Sequence, residues 1–105
     1  MEVSKKDWKL YREKFAGWQD AYMEKLVASY VKYLKGDEPA SDKFWELEKR
    51  IKRDKKNPGV CIELCKSDMT FDLIRLINEG VITVDDLDDF SEDLRDTVKF
   101  MLERL

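Results

Sequence analysis

The chain has 105 residues, 43% hydrophobic and 11% aromatic, and its 41% charged residues nearly cancel to a net −3. That aromatic content and small imbalance exclude a disordered chain, and the length suits one modest core, a single helical domain over residues 1–105. No apolar run reaches the roughly 20 residues of a membrane span; with a charged N-terminus in place of a secretory signal and two cysteines in no disulfide pattern, the expected compartment is the cytoplasm.

Ser4 and Asp7 resemble a capping box, after which Trp8, Tyr11, Phe15, Trp18, Tyr22, Leu26, Tyr30 and Tyr33 recur at steps of three and four. Only an α-helix puts such a series on one face, so a helix is expected from Lys5 to Lys35, with Gly17 on its polar side as a place where it could break. Up to Trp18 the stripe is narrow and almost wholly aromatic. From Tyr22 onward Met23, Val27, Val31 and Leu34 widen it to about half the circumference, which predicts burial on two sides there and on one side earlier.

Gly36 to Ala40 reads as a loop. Ser41 then caps a second helix with Phe44, Leu47, Glu48 and Ile51 as its inward stripe, ending at Asn57-Pro58-Gly59, because the residue before a proline is driven out of the α region. Val60, Ile62 and Leu64 alternate as in a strand, but a lone strand has no partner, so a short third helix through Cys65 is expected. Asp68 to Glu79 forms the fourth, with Phe71, Leu73, Ile74 and Ile77 inward and Gly80 just past its end. Thr83 with Asp86 gives another capping signal, for a short helix bearing Val84 and Leu87. Ser91 starts a last helix with the stripe Leu94, Val98, Met101, Leu102 and Leu105. The expected architecture is all-α, a small bundle of about five helices with a long first one.

Four features compete as sites. The first is the aromatic stripe of Trp8, Tyr11, Phe15 and Trp18. Packing against the later helices is its default role, but the first helix outruns every other. Its N-terminal half is therefore the expected protrusion, pairing with another chain through these four residues, and a second copy is the commonest such partner. The second is the basic run in residues 49–56: Lys49, Lys52, Arg53 and Lys56 lie opposite the inward stripe, with Trp45 at their edge. Phosphates on the lysines and a base on the tryptophan would make a nucleic-acid surface, although the sequence pI of 5.1 is far below that of typical binders. A solvated helix face near a C-terminus is the plainer reading.

The third is the acidic run from Asp85 to Asp96. Its acids crowd the first turns of two helices, where the helix dipole favours them; an EF-hand reading fails because Arg75 and Ile77 would occupy ligand positions. The fourth is the pair Cys61 and Cys65, expected on one helical face as small buried apolar groups. With no histidine the chain lacks the usual neutral-pH base and the Cys–His and Ser–His–Asp arrangements, and no glycine-rich phosphate loop is present. No enzyme activity, catalytic residue, metal or cofactor is expected.

Phe44-Trp45-Glu46-Leu47-Glu48-Lys49-Arg50-Ile51-Lys52, the Lys56-Asn57-Pro58-Gly59-Val60 turn, and Gly80-Val81-Ile82-Thr83 with Asp85-Asp86-Leu87 together resemble a family of small uncharacterised bacterial helical proteins. The resemblance covers most of the chain. Some members carry the label multidrug transporter; the resemblance implies no established activity and brings no catalytic residues. The expected function is a non-enzymatic cytosolic interaction domain that binds a protein partner or itself. Nucleic-acid binding through Trp45 and residues 49–56 is the alternative, and no membrane partner is expected.

Overall fold

A computed structural model describes residues 2–104. Four α-helices, α1 (Lys5–Leu34), α2 (Ala40–Asp54), α3 (Met69–Asn78) and α4 (Glu92–Arg104), are joined by loops that contain single 3₁₀ turns at Lys66–Asp68 and Val84–Leu87. Among the described residues there is no strand, so the all-α class holds, with four helices in place of five. No helix is long and apolar enough to cross a membrane among these residues.

Local signals set most boundaries. The Asp7 N–H donates to Ser4 Oγ at 3.1 Å, which caps α1, and α1 runs unbroken through Gly17. The end of α3 is a full Schellman motif: Gly80 N–H donates to the Ile77 carbonyl at 3.1 Å and Val81 N–H to the Leu76 carbonyl at 2.9 Å. Gly80 takes φ of 75°, a left-handed value that a side chain disfavours. Thr83 and Asp86 form a reciprocal capping box, and the Leu94 N–H donates to Ser91 Oγ at the start of α4. Ser41 does not cap α2; Pro39 holds that position without a side-chain bond.

The core lies at one end of the molecule. Tyr11 and Phe15 of α1 pack with Leu73, Ile74 and Leu76 of α3, Leu94 and Val98 of α4, and Ile82, Leu87 and Phe90 of the connecting segment. Trp18 sits against Phe90 with ring centroids 6.3 Å apart. Each fully buried side chain of this size stabilises the fold by roughly 1.5–3 kcal/mol. The expected roles of the two halves of α1 are therefore reversed. Its aromatic N-terminal half is the buried half, and its C-terminal half projects from the core, with α2 folded back along it. Thirty residues at about 1.5 Å each make α1 about 45 Å long, which accounts for the molecule's 52 × 28 × 21 Å shape.

Three further expectations change. Phe44 and Phe71 are exposed rather than inward, and no residue of α2 is buried. Residues 62–65 are extended instead of helical, with Ile62 and Leu64 against the core and Cys61, Glu63 and Cys65 facing outward. The cysteines are therefore exposed free thiols, not buried packing groups. The alternation of Ile62 and Leu64 matches which side chains meet the core, without forming a strand. Leu105 lies outside the described residues.

Candidate functional site

The arm formed by the C-terminal half of α1 and by α2 is built from polar clasps on an apolar seam. Tyr30 donates its hydroxyl proton to the Asp54 carboxylate. Arg50 lies 4.2 Å over the Tyr33 ring and is held by Glu46 at 3.2 Å. At the root, Asn57 Nδ2 donates to Tyr22 Oη at 3.0 Å, and its Oδ1 accepts from the Gly59 N–H at 2.8 Å. Asn57 thus closes a turn on the Gly59 N–H, and the turn does not propagate into a helix. Gly59 is buried there: a Cβ on it would lie 2.7 Å from both Tyr22 Cδ2 and Val81 Cγ2. Only glycine lets the α1 arm, this turn and the end of α3 meet so closely.

These contacts perturb the titrating groups. Burial, then the hydrogen bond to Asp54 and the charge of Asp54, push the Tyr30 phenol up to about 12. Burial pulls Asp54 upward, but the hydrogen bonds from Arg53 and Tyr30 outweigh it and hold the carboxyl below its ordinary value. Together they keep Tyr30 protonated and Asp54 ionised, the pair of states the clasp requires.

One side of the arm stays open. Met23, Val27, Val31 and Leu34 of α1 and Phe44 and Ile51 of α2 are exposed large apolar residues, from 37% for Met23 to 63% for Phe44. Steps of four, four and three put the α1 members on one stripe, beside Phe44 and Ile51 at a step of seven. Between the helices runs a groove of about 360 Å³ lined by Met23, Leu26, Val27, Tyr30, Ile51 and Val60. The sequence signal of this face is the widened stripe after Tyr22. The width indicates two covers, and the fold supplies only α2.

The aromatic stripe does not form an outward surface. Tyr11 is fully buried, Phe15 is 7% exposed, and Trp8 and Trp18 pack against the core cluster. The expectation of a dimer seam at Trp8, Tyr11, Phe15 and Trp18 is corrected accordingly: these residues join α1 to α3 and α4.

The basic face is outward, and two of its four cations are paired with neighbouring carboxylates. Lys52 pairs with Glu48 at 3.3 Å and Arg53 with Asp54 at 3.0 Å, while Lys49 and Lys56 are exposed. Trp45 is 61% exposed and makes an edge-to-face contact with Phe44. The adjoining cleft of about 530 Å³ includes Glu38, Asp42 and Glu46 against Lys49 and Arg50, a balance that does not favour phosphate.

The acidic run is dispersed around the start of α4, with Asp89 paired to Lys14 of α1 at 3.0 Å. Among the described residues no three Cys, Asp or Glu side chains converge on a point that could hold a metal ion. The most perturbed buried groups are Tyr11 and Asp72. Burial and then the charge of Asp72 push the Tyr11 phenol far up, and burial raises Asp72 against the pull of Arg75, 3.7 Å away. Neither has more than a sliver of exposed surface, so they carry a cost in the core and present nothing to a ligand. No family model, no curated protein and no solved structure matches this chain.

Proposed function

We propose that this chain is a non-enzymatic protein-contact module and that its working surface is the apolar side of the α1–α2 arm. The observation that carries this reading is the set of six exposed large apolar side chains, Met23, Val27, Val31, Leu34, Phe44 and Ile51, aligned on one side of a projecting two-helix element. Singly exposed apolar residues need no explanation, but an aligned group of several hundred Å² marks a contact surface. The absence of histidine agrees with a role that involves no proton transfer near neutral pH. The test is a photo-activatable residue placed at Val27 and, as a control on α4, at Lys99, followed by irradiation in living cells. Polypeptide adducts at Val27 that vanish when Ile51→Glu is added, with none at Lys99, are expected. Lack of adducts at Val27 refutes the assignment.

A further inference from the structure

Resting on that reading, we infer that the partner of the arm is a second copy of this chain, docked antiparallel so that two α1–α2 arms form a four-helix bundle. Three observations lead there.

The first is cover. The stripe on α1 from Met23 to Leu34 is wide enough for two neighbours and has one, and α2 has no buried residue at all. A helix of 15 residues is marginal without packing. A second arm laid on the open side buries both stripes at once, which is the arrangement of a four-helix bundle.

The second is size. The face is about 22 Å long, from the length of α2, and about 20 Å wide across two helices. That is a flat footprint of roughly 440 Å² per partner, at the low end for specific interfaces, where reversible contacts sit. Phe44, at the tip, would reach the root of the opposite arm, where the groove at Met23, Ile51 and Val60 opens. One surface thus supplies both knob and hole, as a two-fold interface requires.

The third is charge. The α1 edge carries Asp20 and Glu24 at the root and Lys35 at the tip. The α2 edge carries Lys55 and Lys56 at the root and is preceded by Asp37 and Glu38 at the tip; all seven are exposed. Reversing one arm on the other sets acid over base along both edges. A side-by-side arrangement with the arms pointing the same way also pairs these charges, but it brings the two cores together. Residues outside the arm, 1–18 and 58–105, carry a net −5. Like charge therefore favours the antiparallel dimer, with the cores at opposite ends.

The test uses the full chain. Light scattering at tens of micromolar should give twice the chain mass, and Val27→Glu or Phe44→Glu should raise the dimer dissociation constant at least tenfold. Both positions are more than half exposed, so unchanged helical circular dichroism is expected to show that the variants still fold. In a Cys61→Ser, Cys65→Ser background, mild oxidation of a mixture of Met23→Cys and Leu34→Cys chains should give mainly the mixed disulfide. A monomeric parent, or a dimer indifferent to both glutamates, overturns the inference. Self-adducts of Leu34→Cys in excess over the mixed product overturn the antiparallel arrangement. A monomer whose Val27 still cross-links to a different polypeptide removes the second copy while leaving the contact surface standing.

Discussion

Asp7 is the residue whose removal tests the fold most sharply. Its carboxylate is almost fully buried and accepts two hydrogen bonds from Ser91, 84 positions away: one from the backbone N–H at 3.0 Å and one from the hydroxyl at 2.6 Å. It also sits in the first turn of α1 and faces the start of α4, so it lies at the positive ends of two helix dipoles. A hydrogen bond to a charged acceptor contributes about 1.5–3 kcal/mol on deletion, and each dipole about 0.3–1 kcal/mol. Ser91 is exposed enough for water to recover part of the first contribution. Asp7→Ala should therefore cost about 2–3 kcal/mol, which for a chain of this size lowers Tm by roughly 10–20 °C. Asp7→Asn keeps an acceptor but not the charge and should lose about half as much. The assay is thermal unfolding followed by circular dichroism and by tryptophan emission, with Ser91→Ala completing a double-mutant cycle. A loss below about 0.5 kcal/mol for Asp7→Ala, or a cycle without coupling between positions 7 and 91, refutes the assignment.

Gly59→Ala should cost about 1–3 kcal/mol, since its Cβ would meet Tyr22 and Val81 at 2.7 Å; chemical denaturation that shows no loss would mean that the root of the arm is looser than described. Asp72 has its pKa raised by burial, so its favourable contribution is full below the ordinary carboxylate value and is lost as pH rises through the raised one. Asp72→Asn should thus gain stability at pH 7 relative to pH 3, and a parallel shift at both pH values would contradict this. Tyr30, raised to about 12, stabilises the arm fully below pH 10 and loses that contribution as pH climbs toward 12. Tyr30→Phe should remove this alkaline step, read from arm-specific hydrogen exchange or from circular dichroism between pH 9 and 12. In native-state hydrogen exchange, amides of α2 should open with a smaller free energy than those of α3 and α4, because α2 buries no residue; equal protection at low concentration would refute that difference.

What was legible in the sequence is what local chemistry decides. The Ser4 cap, the Thr83–Asp86 box and the Gly80 terminator each act within a few residues, and each stands where the sequence places it. The extent of α1 was legible from its spacing, while its continuity through Gly17 is shown only by the structure. What failed depended on which surfaces meet. Phe71 and Phe44 fit their helical stripes, but a stripe fixes a direction on the helix and not whether anything lies in that direction. Similarly, the length of α1 implied a protrusion, but the end that protrudes is settled by where α3 and α4 dock. They dock on Tyr11 and Phe15, tied at Asp7 to the start of α4, so the aromatic half became core. At residues 62–65 the alternation of Ile62 and Leu64 marks which side chains meet the core, and the lack of a partner strand does not make the segment helical.

The division of α1 between a core end and an open end also explains why its two apolar sets differ in kind. Core positions take aromatics that interlock at fixed angles, as Tyr11 and Phe15 do edge to face at 5.9 Å. The open stripe is Met23, Val27, Val31 and Leu34, aliphatic and shallow, a texture that lets a second helix approach closely. On the same face the bulky exception is Phe44 of α2, at the tip, where the proposed dimer would seat it in a groove at the far end of the opposing arm. The polar clasps, Tyr30 on Asp54 and Arg50 on Tyr33, hold α2 at a set spacing from α1. The arm thus has its geometry fixed on one side by hydrogen bonds and cation–π contact before anything covers the other. A surface ordered in advance binds without the entropy cost of assembling itself, and this preorganisation is what an apolar face built only for burial within its own chain would not need.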